Sequence, residues 1–129
     1  MRNNKIGILV IEDDEYSRDA LARLLAAEGY EAHSAQDGET GLAKAHETHP
    51  DVIVLDLNLP DIDGKQVVEM IRGDESLAMV PILIVTGDED KKAQDAVELG
   101  ANAYLTKPVE LDALISALRQ FKAGSTARQ

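Results

Sequence analysis

The chain has 129 residues, 44% hydrophobic and 29% charged, with 24 acidic against 13 basic side chains and a formal net charge of −11. That length suits one domain able to bury roughly two-thirds of its unfolded surface, and the acidity disfavours direct contact with nucleic-acid phosphates or anionic lipid, both of which call for clustered Lys and Arg. The absence of cysteine excludes disulfides, thiolate chemistry and Cys-based metal sites.

The first apolar run, Ile6–Ile11, is far too short to span a bilayer and leads into Glu12-Asp13-Asp14 rather than a small-residue cleavage site. No membrane association is expected, and the expected location is the cytoplasm. Like Val52–Leu55, Ile82–Val85 and the weaker Ala103–Leu105, this run is rich in Ile, Val and Leu and scarcely alternates with polar residues. Strands buried on both faces of a parallel sheet have that pattern. Tyr30–Ala35 alternates more and reads as an edge strand.

Helical periodicity fills the intervals. Asp14 is placed to cap a first helix whose apolar face is Leu21, Leu24 and Leu25, with Gly29 as its stop. Asp37 leads into a second, with Gly41, Leu42 and Ala45 on one face and Pro50 as its stop. Val67, Val68 and Ile71 mark a third. Ala93, Ala96, Val97 and Leu99, ended by Gly100, mark a fourth, and Leu111, Leu114, Ile115 and Leu118 a fifth. Strand–helix alternation repeated five times predicts an α/β fold with right-handed crossovers and a mostly parallel sheet. The domain is expected over residues 5–122, with the small polar segment 123–129 as a flexible tail.

In open α/β sheets, ligands bind outside the carboxyl ends of the strands. Here those ends carry Glu12-Asp13-Asp14, Asp56 in Val54-Leu55-Asp56-Leu57-Asn58, Thr86-Gly87-Asp88 and Thr106-Lys107-Pro108. Adjacent strands would bring Glu12, Asp13 and Asp56 together, and like charges about 4 Å apart repel by roughly 4 kcal/mol at an effective dielectric of 20. A raised pKa, a lysine or a divalent cation would offset that, and Mg2+ suits oxygen donors of this kind. A carboxylate can also accept a phosphoryl group as an acyl phosphate, whose oxygens Lys107, Thr86 and the N–H groups of Leu57 and Asn58 could stabilise. His46 and His49, three apart, have no third ligand in sight and read as a solvated helix end. Lys91-Lys92 reads as a solvated helix start.

Glu12-Asp13, Asp56 with Pro60 and Gly64 downstream, Thr86, and Lys107-Pro108, in that order and each tied to a strand end, make the chain resemble the response-regulator receiver domain of two-component systems over residues 5–122. The resemblance implies a flavodoxin-like, doubly wound (βα)5 sandwich with a five-stranded parallel sheet in order 2-1-3-4-5. It implies Asp56 as phosphoacceptor and Mg2+ held by Asp13 directly, by Glu12 through water, by Asp56 and by the backbone carbonyl of Asn58. Arg18 falls where the family usually has a basic residue. A cis bond before Pro108 would aim Lys107 inward, and Thr86 and Tyr104 would act as a switch read on the fourth helix, fifth strand and fifth helix. That face would also serve a homodimer. Asn58 and Asp88 would tune attack by water, and their polarity resembles members with a short-lived phosphoryl state. Gly87 stands where alanine is commoner. The implied partners are a sensor histidine kinase or histidine phosphotransfer protein as donor, and a downstream effector protein or domain.

Two other functions compete. A Mg2+-dependent aspartyl-phosphate hydrolase of the haloacid-dehalogenase type would share the strand-end aspartate and lysine, but it usually has a second acid where Asn58 stands. A receiver-like interaction module that takes no phosphate would not need Asp56, Thr86 and Lys107 together. The expectation is therefore a phosphoacceptor signalling domain rather than a turnover enzyme.

Overall fold

Strands and helices alternate strictly: β1 (Gly7–Ile11), α1 (Glu15–Ala27), β2 (Glu31–Ala35), α2 (Gly38–Thr48), β3 (Val52–Asp56), α3 (Gly64–Arg72), β4 (Ile82–Thr86), α4 (Asp90–Glu98), β5 (Ala103–Thr106) and α5 (Leu111–Ala127). The computed structural model describes residues 5–87 and 90–127. The five strands form one parallel sheet in order β2-β1-β3-β4-β5, the doubly wound topology that the resemblance implies. Among the described residues no helix is long and apolar enough to cross a membrane.

Alternation of side chains along the strands divides the core into two layers. Leu9, Ile11, Ile53, Leu55, Ile82 and Ile84 face α2, α3 and α4. Ile8, Val10, Val52, Val54, Leu83 and Val85 face α1 and α5. Strands β3 and β4 are buried at all five positions, as runs of β-branched and Leu residues without polar alternation require. Each fully buried Val, Leu or Ile side chain contributes about 1.5–3 kcal/mol, so the two layers drive the fold.

Caps fix where the helices begin. Asp14 and Asp37 accept from the N–H groups of Ser17 and Thr40, at 2.8 and 2.7 Å, and Asp63 starts α3 by accepting from Lys65. Helix α2 has a second anchor from far along the chain. Asp61 accepts from the N–H groups of Gly38 and Glu39 at 2.8 and 2.9 Å. Helix α2 ends at Thr48, with His49 left-handed (φ 48°) ahead of Pro50.

The apolar stripes are narrower than periodicity implies. Leu21 and Leu25 are buried while Leu24 is exposed, and on α4 Ala93 and Ala96 are buried while Val97 and Leu99 stand out. A helix lying on a sheet buries only the residues directly above the strands. His46 is exposed, as expected of a solvated helix end, and pairs with Asp74 at 2.8 Å. Helix α5 carries helical backbone to Ala127, five residues into the segment that composition reads as a tail. Extending an established helix needs no new nucleus.

The edge opposite the strand carboxyl ends is held by Arg72. Its guanidinium donates to the carbonyls of Gly100 (2.9 Å), Ala78 (3.0 Å) and Val80 (2.7 Å) and to Asn102 Oδ1 (2.9 Å), which also accepts from the Ile82 N–H. One side chain thereby joins α3 to the entrances of β4 and β5.

Among the described residues, three carboxyls sit below the ordinary value of 3.8. For Asp14 the cause is hydrogen bonding from the Ser17 N–H and hydroxyl, and for Asp74 it is Ser76. For Asp61, desolvation pushes upward and the N–H donors of Glu39, Gly38 and Ile62 outweigh it. Each binds its proton less readily folded than unfolded, so its stabilisation is present above 3.8 and is lost as pH falls through the lower folded value. Denaturant midpoints are expected to drop between pH about 5 and pH about 2.5, less steeply in Asp61→Ala.

Candidate functional site

Register brings the polar residues together. Ile11 pairs with Leu55, Asp56 with Val85, and Thr86 with Thr106. The residues that follow or end these pairs, Glu12, Asp56, Thr86 and Lys107, therefore lie side by side along one sheet edge. Asp56 and Thr86 are the last residues of their strands, so their backbones are fixed by the ladder while their side chains reach the edge.

Glu12 and Asp56 are buried, 2% and 6% exposed. Lys107 Nζ lies 2.7 Å from Glu12 Oε1 and 3.2 Å from Asp56 Oδ2. The Lys107 N–H donates to the Thr86 carbonyl at 2.7 Å, and the Lys107–Pro108 bond is cis, as the resemblance implies. The other acceptor oxygen, Asp56 Oδ1, takes the Asn58 N–H at 3.0 Å, while Glu12 Oε2 takes the Asp14 N–H at 3.1 Å. Burial pushes the Glu12 carboxyl above 4.5, and its hydrogen bond with Asp56 pushes the same way against the pull of Lys107. Burial works to lower the Lys107 ammonium. Hydrogen bonding to Glu12 and the charge of Asp56 outweigh it and raise the pKa above 10.5.

Arg18 shapes the acidic turn. Its guanidinium donates to the carbonyls of Glu12 (2.9 Å) and Asp13 (3.1 Å). Both backbone oxygens are thereby tied to α1, and the Asp13 side chain is left exposed. Among the described residues no three Asp, Glu or His side chains already converge on one cation-sized point; the charge between Glu12 and Asp56 is balanced by Lys107. The donor set of Glu12, Asp13, Asp56 and the Asn58 carbonyl is nevertheless all oxygen, and one ammonium serves the two buried carboxylates. That chemistry fits a hard divalent cation.

Thr86 Oγ1 is buried and, among the described residues, lacks a hydrogen-bond partner. Such an orphan costs about 1–3 kcal/mol, and here it ends the strand next to the one that Asp56 ends. Tyr104, paired with Ile84 in the ladder, is half-buried and packs against the same layer as Ile84. Strand alternation places Thr86 and Tyr104 on one face of the sheet. Asp88 lies outside the described residues.

The loop from Asp56 to α3 is tightly held. The Gly64 N–H donates to the Leu57 carbonyl at 3.0 Å, and a Cβ on Gly64 would stand 2.5 Å from Leu57 Cα. Close approach of two backbones explains that glycine. Asp61, Arg72 and the hydrogen bonds of Arg18 were not read from the sequence. Their partners, backbone groups and for Arg72 also Asn102 Oδ1, are ones that only the fold brings near.

Fold and site together define a doubly wound signalling-type α/β domain with an acidic, lysine-bearing strand-end site. The chain belongs to the response regulator receiver domain family, whose model matches residues 8–119. Among curated proteins it is 31% identical to the polar-differentiation response regulator DivK of Brucella ovis, over 88% of this chain and 94% of that one. It is 39% identical to the DNA-binding dual master transcriptional regulator RpaA of Synechocystis, over 87% of this chain and 47% of that one. Among solved structures, the chemotaxis response regulator CheY4 of Vibrio cholerae superposes with a TM-score of 0.84 at 30% identity, covering 92% of this chain and 99% of that one. The protein is thus a CheY-like receiver domain of two-component signalling.

Two glycines in the site loops should behave oppositely. Gly64→Ala forces Leu57 to move and should cost about 1–3 kcal/mol. At Gly87 no described residue comes within 4 Å of a Cβ, so Gly87→Ala should be neutral or stabilise by up to ~1 kcal/mol. Thermal unfolding of the two variants beside the parent measures both.

Proposed function

We propose that Asp56 accepts a phosphoryl group from a phosphohistidine on a sensor histidine kinase or histidine phosphotransfer protein, and that the resulting acyl phosphate is the signal. The observation that carries this is the buried Asp56 carboxylate with Lys107 Nζ 3.2 Å away and the Thr86 hydroxyl on the neighbouring strand, which among the described residues has no partner. A carboxylate oxygen of Asp56 attacks phosphorus, the P–N bond breaks, and the imidazole leaves with the electron pair. Lys107 neutralises the transferring oxygens, and Thr86 turns toward them to donate the hydrogen bond it lacks. Mg2+ held by Asp13, Asp56 and the Asn58 carbonyl, with Glu12 acting through water, would supply the remaining positive charge.

Movement of Thr86 leaves space on the face it shares with Tyr104. Tyr104 fills it, and the change is read by an effector on α4, β5 and α5, the face that would also pair two copies. Asn58, exposed beside the acceptor and bonded to it through its N–H, is assigned with Asp88 to tuning the attack of water. The domain acts as a phosphoacceptor rather than a turnover enzyme. Support comes from position 58, where an amide stands in place of the second acid that a hydrolase would use as proton donor. The acidic composition favours protein partners over direct nucleic-acid contact.

Incubation with Mg2+ and phosphoramidate should add the mass of one phosphoryl group, and Asp56→Asn should abolish the gain. Lys107→Ala should slow it by about 10²-fold, the usual effect of deleting one charge-stabilising group. Persistence of the added mass in Asp56→Asn would refute the assignment.

A further inference from the structure

The segment Asn58–Pro60 sits between two attachments. On one side Leu57 is buried and its carbonyl takes the Gly64 N–H. On the other, the Asp61 carboxylate grips the first turn of α2, a helix more than twenty residues upstream: Oδ1 accepts from the N–H groups of Gly38 and Ile62, and Oδ2 from Glu39. The contact is closely built, since a Cβ on Gly38 would stand 3.2 Å from Ile62 Cβ. The helix does not need Asp61 to start, because Asp37 already caps it through Thr40. The second carboxylate instead holds the loop to the helix, and inside that loop the Asn58 N–H fixes Asp56 Oδ1.

From this geometry we infer that Asp61 is a positioning residue for phosphoryl transfer at Asp56, acting through α2 and the Asn58 N–H. The inference rests on the reading of Asp56 as acceptor. Phosphorylation and hydrolysis move the same phosphoryl group past the same loop, so both steps need the Asn58 backbone in place. Freeing the loop slows both, and misplacement of a reacting group by a fraction of an ångström reduces rates by about tenfold or more. Asp61 is exposed, so its replacement leaves the core intact.

The test compares Asp61→Ala, Asp61→Asn and Asp37→Ala with the parent protein. Asp61→Ala should lower the rates of phosphorylation by phosphoramidate and of subsequent hydrolysis together, each by about tenfold, and should speed hydrogen exchange at the Asn58 amide. Asp61→Asn keeps an acceptor oxygen for Gly38 and Ile62 and should recover part of both losses. Asp37→Ala removes the helix's own cap, lowers stability comparably, and should leave the two rates and the Asn58 exchange at parental values. Unchanged rates and exchange in folded Asp61→Ala would overturn the inference, as would an Asp37→Ala variant that matches Asp61→Ala. Failure of the parent itself to take a phosphoryl group on Asp56 would overturn the acceptor reading instead, and the Asn58 exchange, which needs no phosphorylation, keeps the two failures apart.

Discussion

The ion contact from Lys107 to Glu12 and Asp56 is the constraint around which this molecule is arranged. Two carboxylates at 2% and 6% exposure would repel by several kcal/mol and each lose hydration. An ammonium 2.7 and 3.2 Å away offsets both effects. Lys107 follows β5, two strands from β3 in the sheet, so the contact exists only if β5 docks on β4 in register. The Arg72 hub at the opposite end secures that docking by joining α3 to the starts of β4 and β5. A half-buried cation at each edge thus holds the same pair of strands.

The balance at the site is local and leaves a deficit. Lys107 serves two carboxylates, Asp13 stays exposed to solvent, and Thr86 keeps a buried hydroxyl without a described partner. Added positive charge and an added acceptor would each find complementary groups waiting. Under the proposed reading, a metal-bound phosphoryl group on Asp56 would supply both. The layer beneath Thr86 and Tyr104 also contains Ala96 of α4.

Leu24, Val97 and Leu99 mark the limit of periodicity as a guide. A hydrophobic stripe at helical spacing says that a helix has an apolar side, but not how much of that side a sheet covers. Their exposure is set by the angle at which α1 and α4 lie on the strands. His46 shows the same limit in charge, since its partner Asp74 lies in the α3–β4 connection. The strand ends, by contrast, were legible in advance. An acid or hydroxyl at the close of a run of Ile, Val and Leu can only emerge at the sheet edge.

Sequence alone determined the order of the elements, their parallel arrangement, the apolar layers and the identities of Glu12, Asp56, Thr86 and Lys107 as strand-end residues. These follow from short-range periodicity and from the cost of burying polar groups, which act on each segment by itself. Tertiary structure alone decided the distances among those residues, the lack of a described partner for the Thr86 hydroxyl, and the roles of Arg18, Asp61 and Arg72. Those three side chains bind mainly backbone carbonyls and N–H groups, which no sequence pattern distinguishes. Only the folded chain selects which of them come within reach.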